Sequence, residues 1–156
     1  MTANPFVMLS YVGGPALLTN ATSLFILSTS NRFARAIDRA RVLAEQPDQG
    51  KEVLDELRDA HRRVNLIVRA LSSFYFAAAM FALGTLATIA GAAIAEIQNA
   101  PILNVVIAGA AIVGIGGFVA FVSGAICLVI EARVTARMIS REAKMAFARA
   151  AGMQNY

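Results

Sequence analysis

Asn20, Ser23, Leu27 and Asn31 recur at three- and four-residue intervals within a mostly apolar stretch, so on a helix they share one face with Gly13 and Ala16, and Thr19 stands beside it. Polar groups buried in hydrocarbon are costly without partners, and a face that is both small and polar suits a water-lined path or hydrophilic groove. On that reading Asn20, Ser23, Thr19 and Asn31 line a permeation path, and Pro15, after Gly13 and Gly14, breaks the helix near its outer end. The plainer structural reading has Asn20 bonding to a neighbouring helix while the Ser and Thr hydroxyls bond their own backbone.

Other reactive side chains are sparse. Glu96 and Glu131 fall at the ends of apolar runs, where water is close and a proton relay has little support; Glu131 is expected to pair with a basic residue such as Arg32 or Arg69. His61 lies among Arg58, Arg62 and Arg63 without companion ligands, so no metal site is expected. The single cysteine, Cys127, lies in an apolar run and reads as a small packing residue. No nucleophile stands with a base, and the GIGGF segment at residues 114–118 is inside an apolar run rather than after a strand. Neither enzymatic chemistry nor a cofactor is expected.

The elements that carry these residues follow from charge and hydropathy. The chain has 156 residues, is 58% hydrophobic and has a mean hydropathy of +0.62, which leaves too little polar surface for a water-soluble globule. All 14 basic residues sit in two blocks, 32–69 and 133–149, separated by nearly uncharged apolar runs. Runs at 6–29, 71–95 and 102–130 each reach the ~20 residues that a helix needs to cross a ~30 Å hydrocarbon core. The expected fold is an all-α integral membrane protein, residues 1–156 forming one domain with three transmembrane helices. Lys and Arg in short loops remain cytoplasmic, so both basic blocks are expected inside, with the N-terminus and the 96–101 turn outside. The opening MTANPFVML lacks a basic start and a small-residue cleavage site, so the first run is expected to persist as a helix. A pI near 9.8 is accounted for by insertion topology and anionic lipid rather than by nucleic acid.

Between the first two spans, residues 30–70 predict a cytoplasmic antiparallel helical hairpin. Phe33, Ile37, Ala40 and Leu43 mark the inner side of the outgoing arm, Pro47 to Gly50 the turn, and Leu54, Leu57, His61, Val64 and Val68 the inner side of the returning arm. One-turn pairs such as Asp55 with Arg58, or Asp59 with Arg62 or Arg63, belong to its solvated side. Residues 131–156 are read as a helical C-terminal extension. Arg133, Arg137, Arg141 and Lys144 lie on one stripe, suited to anionic headgroups, and Ile139, Ala143, Ala146 and Ala150 on another. That apolar stripe either packs on the hairpin or lies on the membrane, and continuity with the third span favours the hairpin. Small-residue stripes, Ser73, Ala77, Gly84, Ala87 and Gly91 on the second span and Gly109, Gly117, Ala120, Gly124 and Cys127 on the third, predict close helix contacts.

The segment GPALLTNATSLFILSTSNRFARAIDRAR, with Pro15, the apolar run, Asn31-Arg32 and the Asp38-Arg39-x-Arg41 cluster, resembles a bacterial family catalogued as domain of unknown function 2721. The resemblance continues through the hairpin and the last two spans. It implies a three-span architecture in a bacterial inner membrane and no particular activity, and it singles out Arg32, Asp38, Arg39 and Arg41 at the cytoplasmic face. Topology anchoring, with Asp38 paired to Arg35 or Arg41, is the simpler role for that cluster. Two functions remain open. One is a homo-oligomer whose first spans surround a path for ions or small solutes. The other is an accessory or insertase-like assembly scaffold binding other membrane proteins through its cytoplasmic hairpin; its element order is similar to that of membrane insertases, although those place a positive charge within their groove and here Arg32 and Arg69 stand only at the border.

Overall fold

In a computed structural model the chain forms three long helices, α1 (Pro5–Ala44), α2 (Lys51–Glu96) and α3 (Ala100–Met153). The structure describes the backbone of residues 5–45, 51–96 and 100–153, and the side chains of 13–45, 55–94, 101–140, 143, 144 and 147. The expected hairpin turn at Pro47 to Gly50 lies outside the described residues, as does most of the 96–101 turn. On either side of both turns the helices run without interruption, so each expected span and its adjoining polar arm form one element. Pro101 occupies the second position of α3, where a missing N–H costs nothing because the first turn has no intrahelical acceptor for it.

Pro15 does not break α1, contrary to expectation: the helix continues through it from Pro5 to Ala44. Proline removes one backbone hydrogen bond, whereas ending the helix there would give up several. A side chain on Gly13 or Gly14 would meet nothing within 4 Å, and the Thr19 hydroxyl donates to the Pro15 carbonyl at 2.9 Å.

Among the described residues two helical segments, Asp55–Ile94 and Pro101–Ser140, are long and apolar enough to cross a membrane. α1 is not among them, because Gly13, Gly14, Pro15, Thr19, Asn20, Thr22 and Ser23 dilute its apolar residues. Many large apolar side chains face outward, among them Leu24, Phe76, Leu83, Leu86, Ile112, Ile115 and Val119, an extent of exposed apolar surface that marks a protein or membrane contact.

α2 is the central helix. It packs against both α1 and α3, while α1 and α3 approach each other only at isolated points. The buried positions repeat every seven residues: Thr22, Thr29, Ala36 and Leu43 on α1, and Ala60, Ile67, Phe74 and Phe81 with Ala70, Ala77, Gly84 and Gly91 on α2. On α3, Gly117, Gly124 and Glu131 continue the pattern. A seven-residue repeat specifies a left-handed supercoil, and it runs here through apolar and charged segments alike. On the returning arm this places Ala60, Ile67 and Ala70 inside, whereas Leu57 and Val64 are half-buried and His61 and Val68 exposed, a phase one residue away from that expected.

The contact between α2 and α3 is the tightest. Phe81 lies over Gly117, where an added Cβ would stand 2.8 Å from the ring, and Phe74 lies over Gly124 at the same distance. Of the anticipated stripes, Ala77, Gly84, Gly91, Gly117 and Gly124 are buried, Ser73, Ala87, Ala120 and Cys127 half-buried, and Gly109 exposed. At mid-length Phe74 also meets Phe25 of α1 and Phe121 of α3, with ring centroids 5.4 and 5.5 Å away. Phe25 and Phe121 stand edge-to-face at 5.1 Å, an orientation favoured by their ring quadrupoles.

The extension of α3 departs from its expected packing on the hairpin. Ile139 and Ala143 are exposed, Val134 is buried and Met138 half-buried. The seven-residue phase through Gly117, Gly124 and Glu131 arrives at Met138 and turns Ile139 about 100° away from it. The side chains of Ala146 and Ala150 lie outside the described set.

Candidate functional site

Two polar features stand out, one inside the bundle and one on its surface. The inner one centres on Glu131, whose relative exposure is 1%. Its Oε1 accepts from Arg63 Nε of α2 at 2.5 Å and from the Thr135 hydroxyl one turn along α3 at 3.0 Å. Its Oε2 accepts from Arg32 Nη1 of α1 at 3.4 Å. One carboxylate thus ties all three helices at a single level. Burying a charge is tolerable only when it is paired and hydrogen-bonded, and both conditions are met here.

The expected pairing of Glu131 with Arg32 is present. Arg69, the other candidate, is exposed, and Arg63 takes its place. Arg63 had been assigned to the solvated side of the hairpin. The seven-residue count back from Gly84, Ala77 and Ala70 arrives at Arg63 and is the signal that identifies it as an inward residue. The charge balance is uneven: two guanidiniums share one carboxylate, and the Arg32 side chain keeps 48% of its surface exposed against 25% for Arg63.

One turn from Arg32 on α1, Thr29 is buried with a hydroxyl that finds no partner. Its neighbours on the same helix do find them: the Thr22 hydroxyl donates to the Leu18 carbonyl at 2.6 Å and the Ser23 hydroxyl to the Thr19 carbonyl at 3.0 Å.

The outer feature is the face of α1 opposite this core. Asn20, Ser23, Leu27 and Asn31 are all exposed, and Thr19 is half-buried. Thr19 and Ser23 satisfy their hydroxyl protons on their own helix, as the plainer reading has it. Asn20 and Asn31 do not: among the described residues neither amide makes a hydrogen bond within the chain.

The structure does not gather Arg32, Asp38, Arg39 and Arg41 at one point. Arg32 reaches α3, Arg39 reaches Glu56 of α2 at 2.6 Å, and Asp38 and Arg41 are exposed. The Arg39–Glu56 pair is itself partly exposed, at 51% and 31%, and pairs of that kind contribute little. Glu56→Ala is therefore expected to cost at most about 0.5 kcal/mol in thermal unfolding of the detergent-solubilised protein. Arg133, Arg137 and Lys144 are exposed, and the Arg141 side chain lies outside the described set. Among the described residues no three His, Cys, Asp or Glu side chains converge as a metal site would require.

No curated protein and no solved structure matches the chain. A family model does: residues 12–141, from just before Gly13 to just beyond the Glu131 layer, match the protein of unknown function described as DUF2721, and the chain belongs to that family.

Proposed function

We propose that this chain is a non-enzymatic membrane protein of the bacterial inner membrane that spans the bilayer three times and assembles with copies of itself, so that the outer faces of α1 surround a path for ions or small solutes. In this arrangement the N-terminus is outside, and the α1–α2 hairpin and the extension of α3 are cytoplasmic. The basic blocks support that orientation, and anionic headgroups meet Arg133, Arg137, Arg141 and Lys144.

The observation that carries this reading is the Asn20 amide, exposed within the first span and, among the described residues, without a bond to its own chain, with Asn31 on the same face at the span's cytoplasmic end. A primary amide facing hydrocarbon at Asn20 would go unsatisfied at a cost of several kcal/mol. A shared aqueous axis, or contact with the same face of a second copy, removes that cost. It also accounts for α1 being less apolar than α2 and α3: a helix shielded from lipid on two sides needs no continuous apolar surface. Leu24 and Leu27, exposed between the two Asn positions, form an apolar constriction in such a path, of the kind that gates by dewetting.

Recording from the purified protein in planar bilayers tests this reading. The wild type is expected to conduct, and Asn20→Leu to lower unit conductance severalfold while leaving the oligomer intact by mass photometry. Silence from both proteins, or a monomer in every detergent and lipid tried, overturns it.

A second reading draws on Ile139 and Phe147, which are 61% and 76% exposed on the extension of α3. Large apolar side chains on a segment outside the bilayer suit a surface for other membrane proteins. Crosslinking in native membranes that recovers only copies of this chain counts against it.

A further inference from the structure

α1 and α3 flank α2 without closing on one another, leaving a seam along the bundle. The side of α1 that borders it carries Phe25, Ser28, Arg32 and Arg35 at successive one-turn intervals. Two contacts bridge the seam, the Phe25–Phe121 pair and, further along both helices, the reach of Arg32 to Glu131. Its floor is thus aromatic at one level and cationic at the next.

The cationic level is not neutral. Arg63 lies close against Glu131 and offsets its single charge, which leaves the positive charge of half-exposed Arg32 without a full counterpart. Arg35, one turn on, is exposed and adds a second, and the Ser28 hydroxyl, one turn back, is exposed as well. A guanidinium whose remaining N–H groups point outward at the edge of an apolar surface matches the geometry and charge of a phosphate oxygen pair.

We propose that this seam holds an anionic phospholipid, its phosphate bonded by Arg32 and Arg35 and an acyl chain lying over Phe25 and Phe121. The proposal rests on the membrane-spanning reading above. It differs from general headgroup contact along the α3 extension in naming one groove, one pair of arginines and one lipid charge class.

The test uses full-length protein reconstituted into phosphatidylcholine nanodiscs with a minor fraction of phosphatidylglycerol, followed by native mass spectrometry of the released protein. Phosphatidylglycerol is expected to be retained in preference to phosphatidylcholine. Arg35→Gln, which leaves the Glu131 contacts untouched, is expected to lower that retention about fivefold, the factor corresponding to about 1 kcal/mol per basic residue near an anionic surface. Arg32→Gln is expected to lower it at least as much, and Arg137→Gln to leave it nearly unchanged. Equal retention of the two lipids, retention unaffected by Arg35→Gln, or displacement of the lipid by millimolar inorganic phosphate overturns the groove. Failure to insert into the bilayer overturns the membrane reading beneath it, which the other results do not.

Discussion

Replacing Glu131 with Ala is expected to cost about 3 kcal/mol, at the low end of the range for removing one partner of a buried ion pair. The loss is not simply that of three hydrogen bonds. Two guanidiniums drawn together by the carboxylate would then face each other with no negative charge between them, and the Thr135 hydroxyl would lose its acceptor as well. The figure stays at the low end because both arginines retain some exposure, so each can turn partly toward water. Three variants separate the contributions. Glu131→Gln keeps an acceptor but loses the charge and should fall between wild type and Ala. Arg63→Ala should cost more than Arg32→Ala, since Arg63 makes the shorter bond and is the more buried. Thermal unfolding in detergent, followed by circular dichroism, reads all of them. A Glu131→Ala protein as stable as wild type would show that the three helices are held at this level by something else.

Gly117→Leu is expected to have an effect of similar size two turns and more along the α2–α3 contact, where Phe81 covers it. Even the first carbon of a side chain there would lie 2.8 Å from the Phe81 ring and 3.2 Å from Met80 Cβ. The ring might rotate aside alone, but the Met80 Cβ is fixed to its backbone, so the helices must separate. Overpacking of this kind costs typically about 1–3 kcal/mol, and a branched four-carbon side chain belongs at the upper end. Gly109→Leu, where an added Cβ meets nothing within 4 Å, is the matched control and should unfold within a few degrees of wild type. A disulfide-crosslinking pair across α2 and α3 would report the separation directly, and equal crosslinking in both variants would exclude it.

The number of helices and their approximate limits were legible in the sequence, because long apolar runs and the few Gly and Pro residues between them leave little freedom. Which face of each helix turns inward was only partly legible. A straight helix drifts about 20° per heptad against a seven-residue repeat, so a face assigned from one local segment slips out of phase along a helix of 46 residues. On the returning arm, Leu54, Leu57, Val64 and Val68 outweigh Ala60 and Ala70 as local apolar markers, which placed the inner side one residue off and hid Arg63 among its surface neighbours. Pro15 misled for a different reason: its local preference for ending a helix yields to the several backbone hydrogen bonds that a break would give up. The face of Asn20, Ser23, Leu27 and Asn31 was legible as a face, since four close-set residues accumulate little drift. Its direction was not, and only the packing of Thr22 and Thr29 against α2 turns it outward.

At 1.5 Å per residue α2 is about 69 Å long, roughly twice the thickness of a hydrocarbon core, and it contains no proline. It is therefore one rod without a joint. Torque applied near the Arg39–Glu56 tip is delivered along that rod to Gly91, and α3, wedged against it by two phenyl rings and tied to α1 through Glu131, must follow, so the three helices turn together.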